Sequence, residues 1–283
     1  MWRFKSNFAH LRFKFVAYLI PVFLFALSCS KLQSTGRVIL TFVVLHGFLY
    51  PASNAYNSFY DRDEKSIGGL EHPPQITSEL KTISYALDFV ALVLAIRMGA
   101  AFFGMVLIYG FISKAYSHPI IRLKKRPFLS WIIVSIFQGA WIFYAVQIGV
   151  GSHIDYAAGA VATLLVASSY PLTQIYQFAE DQKRGDLTLS RWLGIRGTFV
   201  FSALLLLVAL VAMIICLSHS YARSQLAWLP IFLMPVGVHF FSWMIATFRD
   251  SGEANYKNAN RMSFFATWSM SLFFVFLLLM PRT

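Results

Sequence analysis

Two short polar segments stand out in a chain that is otherwise strongly apolar. The first covers residues 54–69, where a long apolar stretch ends, and in it Asn54, Asn57 and Asp61 are spaced three and four residues apart. If a helix continues through them, the three side chains lie on one face. Amides and carboxylates at the mouth of a membrane helix are costly unless something binds them, and Mg²⁺ prefers such oxygen ligands. The segment therefore predicts a divalent-cation site.

The second polar segment, residues 170–189, has a similar spacing. Gln177, Asp181 and Gly185 are spaced four residues apart, and Glu180 precedes the central acid. That acid lies 120 residues beyond the one in the first segment. The echo suggests two repeated halves of a membrane protein, with a site at the interface between them.

Two facing carboxylate clusters on one side of a helical bundle could hold two Mg²⁺ ions, which would neutralise a diphosphate. The expected metal ligands are Asn57, Asp61, Glu64, Glu180 and Asp181. Nearby cations would balance the remaining charge on the diphosphate oxygens, and these are Arg62, Lys114, Arg122, Lys124 and Lys125. For the basic run 122–126 a simpler role stays open, which is to anchor the chain at lipid headgroups.

The composition places this chain in a membrane. Of its 283 residues, 58% are hydrophobic and 13% are charged, and the mean hydropathy is +0.61. A soluble domain carries about 25% charged residues. The net charge of +12 is explained better by basic loops on one side of a membrane than by nucleic-acid binding. Cys29 and Cys216 are too few for a disulfide framework or a metal-thiolate site.

The apolar stretches predict nine transmembrane helices in an all-α, polytopic protein, near residues 15–30, 38–57, 82–98, 100–113, 128–148, 154–176, 197–218, 226–247 and 262–280. With the N-terminus in the cytoplasm, 19 of the 24 Lys and Arg residues lie on the inner side. That asymmetry predicts a cytoplasmic N-terminus and an outer C-terminus in a cell (inner) membrane. We interpret the whole chain, 1–283, as one domain with four-helix halves at 15–113 and 128–247 and a ninth helix at 262–280.

Asp88 is an acid inside the third predicted span. An ionisable residue at membrane depth is a functional candidate by default. The alternative is an ion pair with Arg97 or with another polar group of the bundle, and the sequence leaves both open.

Both polar segments resemble motifs of a known family. Residues 57–65 resemble the first aspartate-rich motif of the UbiA superfamily of intramembrane prenyltransferases. Residues 177–185, followed by Thr188 and Leu189, are similar to the second motif. The agreement in span number, motif order and sidedness covers nearly the whole chain.

The resemblance implies nine helices around a central cavity, with the site at its cytoplasmic end. It implies Mg²⁺-dependent transfer of a prenyl group from a polyprenyl diphosphate to an aromatic or other lipid-soluble acceptor. In such a reaction the metals stabilise the leaving diphosphate in a water-poor site. The expected catalytic residues are Asp61, Arg62, Lys124 and Asp181.

The chain departs from the family pattern at three positions, Ser58, Lys65 and Gln177. Acids within one turn of them are possible substitutes, and these are Asp63, Glu64 and Glu180. Two other function classes stay open. One is a transporter or channel, although its site would more often lie near the midplane. The other is a non-catalytic relative that binds a polyprenyl lipid or a partner enzyme.

Overall fold

The computed structural model describes residues 2–31 and 34–282, and apart from one isolated bridge between Ile67 and Leu70 their regular structure is helical. Its first eight α-helices are α1 (Trp2–His10), α2 (Phe13–Ala17), α3 (Ile20–Ser28), α4 (Thr35–Phe42), α5 (Tyr50–Asp61), α6 (Glu79–Ile96), α7 (Ala100–Ser117) and α8 (Pro127–Ile136). The remaining helices are α9 (Ile142–Gly149), α10 (Tyr156–Ser169), α11 (Phe178–Arg184), α12 (Leu189–Leu217), α13 (Arg223–Leu226), α14 (Leu229–Arg249) and α15 (Tyr256–Leu279).

Seven helical stretches are long and apolar enough to cross a membrane, namely Thr35–Asp61, Ala100–Ser117, Pro127–Gly149, Tyr156–Lys183, Leu189–Leu217, Arg223–Arg249 and Tyr256–Leu279. The bent pair Trp2–Ala17 and Ile20–Ser28 would be an eighth. The predicted all-α, polytopic class is confirmed, but the described residues give seven or eight candidate spans where the sequence predicted nine. The difference lies in α6, whose 18 residues include three charged ones.

Short polar side chains fix where two of the long helices begin. The carboxylate of Asp155 accepts a hydrogen bond from the backbone N–H of Ala158 at 2.9 Å, at the start of α10. The amide oxygen of Asn255 accepts from the N–H of Asn258 at 3.0 Å, at the start of α15. Each bond satisfies a backbone donor that the helix itself leaves unpaired.

Two spans contain π-helical segments, Val43–Leu49 between α4 and α5 and Phe137–Trp141 between α8 and α9. The second packs closely against α10, where the N–H of Ala140 donates to Thr163 Oγ1 at 3.1 Å. A π-helical turn rotates the residues that follow it relative to a regular helix. The two distortions therefore set which side chains of these spans face the bundle interior.

The core lies among α3, α9 and α15. The ring of Phe25 packs against Phe143 at a centroid distance of 5.1 Å and against Phe274 at 4.9 Å, and all three side chains are buried. Aromatic pairs at this spacing stabilise packing by about 0.5–1.5 kcal/mol beyond the area that they bury. This aromatic core joins the first, middle and last parts of the chain.

Asp88, the acid of the third predicted span, pairs with Lys114 across the contact of α6 with α7. The ammonium of Lys114 also lies 5.3 Å from the ring centroid of Tyr56 and 5.8 Å from that of Tyr85. Of the options that the sequence left open, the structure therefore supports an ion pair, with Lys114 as the partner in place of Arg97. A partly buried pair of this kind is costly to break from one side.

The N-terminal segment holds the long loop that follows α5. Side chains of α1 and of the turn after it hydrogen-bond residues 68–77. Ser6, His10 and Arg12 bond the carbonyl oxygens of Gln75, Pro74 and Gly68, in that order, and Asn7 Oδ1 accepts from Thr77 Oγ1. The guanidinium of Arg3 also pairs with Glu79 at 2.7 Å. The loop is thereby fixed along its length, although it contains no long helix of its own.

Candidate functional site

The first polar segment forms the end of α5. The helix contains Asn54, Asn57 and Asp61, so the predicted helix through these three residues is confirmed. It stops at Asp61 because Arg62 takes a left-handed conformation with φ 49°. Asp63 therefore lies in the loop and does not share the helical face of Asn54, Asn57 and Asp61.

The second polar segment forms a short helix after a broken span. Beyond α10 the chain makes two 3₁₀ turns and enters α11, which contains Asp181 and ends at Gly185 with φ 67°. Glycine adopts this left-handed conformation without steric cost. The chain turns back there, so that the N–H of Asp186 donates to Asp181 O at 2.9 Å. Thr188 Oγ1 donates to Asp181 Oδ2 at 3.4 Å.

The two segments meet at one pocket. Four of the predicted site residues line it, namely Asn57, Asp61, Lys124 and Asp181. Its other polar lining residues include Arg12, Asp63, Gln174, Gln177 and Asp186. Its apolar and aromatic lining includes Tyr50, Tyr109, Phe137, Tyr116 and Tyr170. The pocket thus combines a charged part with an aromatic part.

Lys124 links the carboxylates of the two segments. Its Nζ lies 2.7 Å from Asp61 Oδ1 and 3.7 Å from Asp186 Oδ2. Ser117 Oγ donates to the other oxygen of Asp61 at 3.1 Å. The side chains of Lys124 and Asp61 are each only 12% exposed, so this pair is weakly screened by water.

The donor set suits a hard cation that is shared with a ligand. Within residues 2–31 and 34–282, no three His, Cys, Asp or Glu side chains lie together closely enough to hold a metal ion. Mg²⁺ usually binds through one or two carboxylates together with substrate phosphates. Asn57 Oδ1 is buried at the pocket, and no hydrogen-bond donor of the described chain contacts it. A buried acceptor without a partner is expensive, so this oxygen is available to an ion or to a donor of a ligand.

The other six predicted site residues are not among those that line the pocket, and these are Arg62, Glu64, Lys114, Arg122, Lys125 and Glu180. The N–H of Glu64 donates to Glu180 Oε1 at 3.0 Å, so these two acids connect the two segments beside the pocket. Arg62 and Lys125 are exposed. Lys114 forms a salt bridge with Asp88, and Arg122 forms one with Asp186.

Sequence reasoning missed two charged residues of the pocket. Asp186 directly follows Gly185 inside the second polar segment, and an acid next to the glycine that ends the motif is a signal that could have found it. Arg12 lies 45 residues before the first segment's Asn57 and lines the pocket, where its Nε donates to Gly68 O at 2.7 Å. No local pattern marks Arg12, because its position depends on the packing of α1 and the loop.

Comparison with known families gives a match over most of the chain. The sequence profile of the UbiA prenyltransferase family matches residues 18–270. No curated protein sequence matches the chain significantly.

Solved structures match nearly the whole length. A UbiA homologue from Archaeoglobus fulgidus bound to GPP and Mg²⁺ is 19% identical, with a TM-score of 0.67 over 95% of this chain and 98% of that one. A UbiA homologue from the same organism bound to DMAPP and Mg²⁺ is 17% identical, with a TM-score of 0.64 over 96% of this chain and 99% of that one. An apo UbiA homologue from Aeropyrum pernix K1 is 15% identical, with a TM-score of 0.67 over 94% of this chain and 97% of that one. At these identities the likeness shows a shared fold.

Proposed function

Because this chain belongs to the UbiA prenyltransferase family, we propose that it transfers a prenyl group from a polyprenyl diphosphate to an aromatic or other lipid-soluble acceptor, with Mg²⁺ as cofactor. The relatives from Archaeoglobus fulgidus were solved with GPP or DMAPP and Mg²⁺. Those ligands belong to those proteins, and we carry their chemical class over to this chain as part of the proposal.

One observation supports this proposal above the others. Asp61 and Asp181 come from helices that are far apart in sequence, and both line the same pocket as Asn57 and Lys124. Two carboxylates, an unpartnered amide oxygen and an ammonium are the groups needed to bind a metal–diphosphate complex. An ordinary pair of surface acids would have no reason to converge on one pocket.

In this proposal, Asn57, Asp61 and Asp181 would hold Mg²⁺ together with the diphosphate. The ion, when bound, neutralises the charge that develops on the leaving diphosphate. Lys124 binds a diphosphate oxygen, and Ser117 keeps the carboxylate of Asp61 in place by its hydrogen bond at 3.1 Å. Of the residues predicted at this site, Glu64 and Glu180 would act from beside the pocket, because their contact joins the two segments.

The aromatic part of the pocket would receive the prenyl chain. Tyr50, Tyr109 and Phe137 line it, and their rings offer apolar contact to isoprene units. Ring faces also stabilise nearby positive charge, such as the charge on an allylic carbon as its C–O bond breaks. Walls of this kind exclude water from the reacting carbon.

We further propose that the charged part of the pocket opens at the cytoplasmic face, with nine helices around the cavity. The sidedness rests on the positions of Lys and Arg along the sequence. The ninth helix would be α6, whose charges include the Asp88 that pairs with Lys114.

The test is diphosphate release from geranyl diphosphate and Mg²⁺ by the protein in nanodiscs, with a membrane lipid extract added as the source of the acceptor. Asp61→Asn and Asp181→Asn should each lower the rate at least a hundredfold, because each removes a metal-binding charge while keeping the side-chain shape. Asp250→Asn is the matched control, since Asp250 is exposed and asparagine can keep its bond to the N–H of Gly252. Unchanged release in both pocket variants would refute the proposed metal site.

A second candidate is a non-catalytic protein that binds a prenyl diphosphate. The observation that favours it is the 2.7 Å pair of Lys124 and Asp61, which gives a predicted metal ligand a partner within the protein. Lys65 and Gln177 also replace acids of the family pattern. Binding of geranyl diphosphate by the wild type, with no release of diphosphate in the presence of any acceptor lipid extract, would select this function.

A further inference from the structure

We propose that Asp186 is a positioning residue for the diphosphate, which it serves by holding Lys124 and Arg122 together beside the pocket. This inference rests on the proposed function, because it names the group that orients one of its binding residues. Neither the family motifs nor the predicted site residues include Asp186.

The geometry around Asp186 carries the inference. One of its oxygens, Oδ2, lies 2.9 Å from Arg122 Nη2 and 3.7 Å from Lys124 Nζ, and its side chain is 1% exposed. A single buried carboxylate oxygen thus contacts two cations that would otherwise repel each other. Of these two cations, Lys124 lines the pocket and also contacts Asp61.

The backbone around Asp186 is fixed on both sides. Its N–H donates to Asp181 O at 2.9 Å, and its own carbonyl accepts from Arg191 Nη1. Gly185 makes the reversal that brings the two acids together. A backbone hydrogen bond therefore fixes Asp186, which contacts Lys124, relative to Asp181, which is proposed to hold the metal.

A carboxylate beside an anion site needs a reason to be there. Its charge opposes a bound diphosphate, so a role in charge balance alone would make Asp186 unfavourable for binding. A role in positioning would instead favour diphosphate binding. Lys124 would exchange Asp61 for a diphosphate oxygen, and its contact with Asp186 would keep its ammonium at the pocket during that exchange. Asp186 Oδ1, which is buried and has no partner within the described chain, leaves the carboxylate one further acceptor site.

These two roles predict opposite signs for one substitution. In nanodiscs with Mg²⁺, Asp186→Asn should raise the Kd for geranyl diphosphate about tenfold if Asp186 positions Lys124. Removal of a negative charge without any loss of positioning would lower the Kd instead. Asp250→Asn should leave it unchanged, because that acid is exposed and outside the pocket. A lowered or unchanged Kd for Asp186→Asn overturns the inference.

A double-mutant cycle shows whether the effect acts through Lys124. Lys124→Met should raise the Kd, and adding Asp186→Asn should raise it no further. Fully additive effects would overturn the inference while leaving the proposed function standing. If Asp186→Asn does not fold, Arg122→Met breaks the same pair from the other side. Because the loss of that positive charge would raise the Kd by itself, this variant is judged by the cycle with Lys124→Met alone, and full additivity there overturns the inference. A wild type that does not bind geranyl diphosphate overturns the proposed function and, with it, this role.

Discussion

Replacing Gly139 with alanine should force two parts of the bundle apart. Gly139 lies in the π-helical segment Phe137–Trp141 and faces the backbone of α10. A Cβ atom there would lie 2.5 Å from Thr163 Cα and 2.9 Å from the carbonyl carbon of Ala162. Ordinary contact begins near 3.4 Å, so the shortest distance is too short by about 0.9 Å. Since backbone atoms cannot rotate away, the whole segment must move.

The expected cost follows from two opposing effects. Overpacking of a well-packed interior costs about 1–3 kcal/mol, and the upper value applies here because the obstacle is backbone. Alanine in place of glycine within a helix returns about 1 kcal/mol. The net loss in free energy of unfolding for Gly139→Ala is therefore about 2 kcal/mol. Phe137 and Gln138 line the pocket, so binding of geranyl diphosphate should weaken as well.

Unfolding by SDS in mixed micelles, followed by far-ultraviolet circular dichroism, measures this loss. Gly104→Ala in α7 is the matched control, because a Cβ atom there meets nothing within 4 Å and φ is not positive. That control should be as stable as the wild type or up to about 1 kcal/mol more stable. If Gly139→Ala unfolds at the same SDS fraction as Gly104→Ala, the close approach of the segment to α10 is wrong.

Two further outcomes are expected. Asp88→Asn should lower the free energy of unfolding by roughly 3 kcal/mol, because it leaves Lys114 charged without its partner in a partly buried site; Asp88→Asn with Lys114→Met should recover much of this loss in the same micelles, and equal stability of Asp88→Asn and wild type would contradict the pair. Chelation by EDTA should abolish diphosphate release from geranyl diphosphate, and added Mg²⁺ should restore it; a rate that EDTA leaves unchanged would show that release needs no divalent cation.

The fold class and four residues of the pocket lining were accessible from the sequence. Long apolar stretches reveal membrane helices, because nothing else explains them. Asp61 and Asp181 were found because each follows an apolar stretch at helical spacing from an amide side chain. The division into two four-helix halves stays a prediction, as do the orientation in the membrane and the metal and diphosphate roles.

The missed features depend on tertiary contacts. Lys114 was predicted at the diphosphate, but a lysine side chain is long, and its ammonium reaches Asp88 on the neighbouring helix. Asp186 was overlooked because its partners, Arg122 and Lys124, lie more than 60 residues earlier. The end of α5 at Asp61 was not predicted either, since it depends on the left-handed Arg62, a conformation uncommon outside glycine. Such contacts leave no periodic signal in the sequence.

The hydrogen bonds between the N-terminal segment and the loop after α5 determine which residues of the loop can vary. Three of these bonds end on loop carbonyl oxygens, which belong to Gly68, Pro74 and Gln75. Any amino acid supplies a carbonyl oxygen, so these bonds do not need the side chains of Pro74 and Gln75. At Gly68, in contrast, a Cβ atom would lie 2.6 Å from Arg12 Nη2. The bonds depend on the side chains of the donors, Ser6, His10 and Arg12. A fusion tag or a truncation at the N-terminus would therefore disturb the wall of the pocket, which Arg12 and Gly68 line.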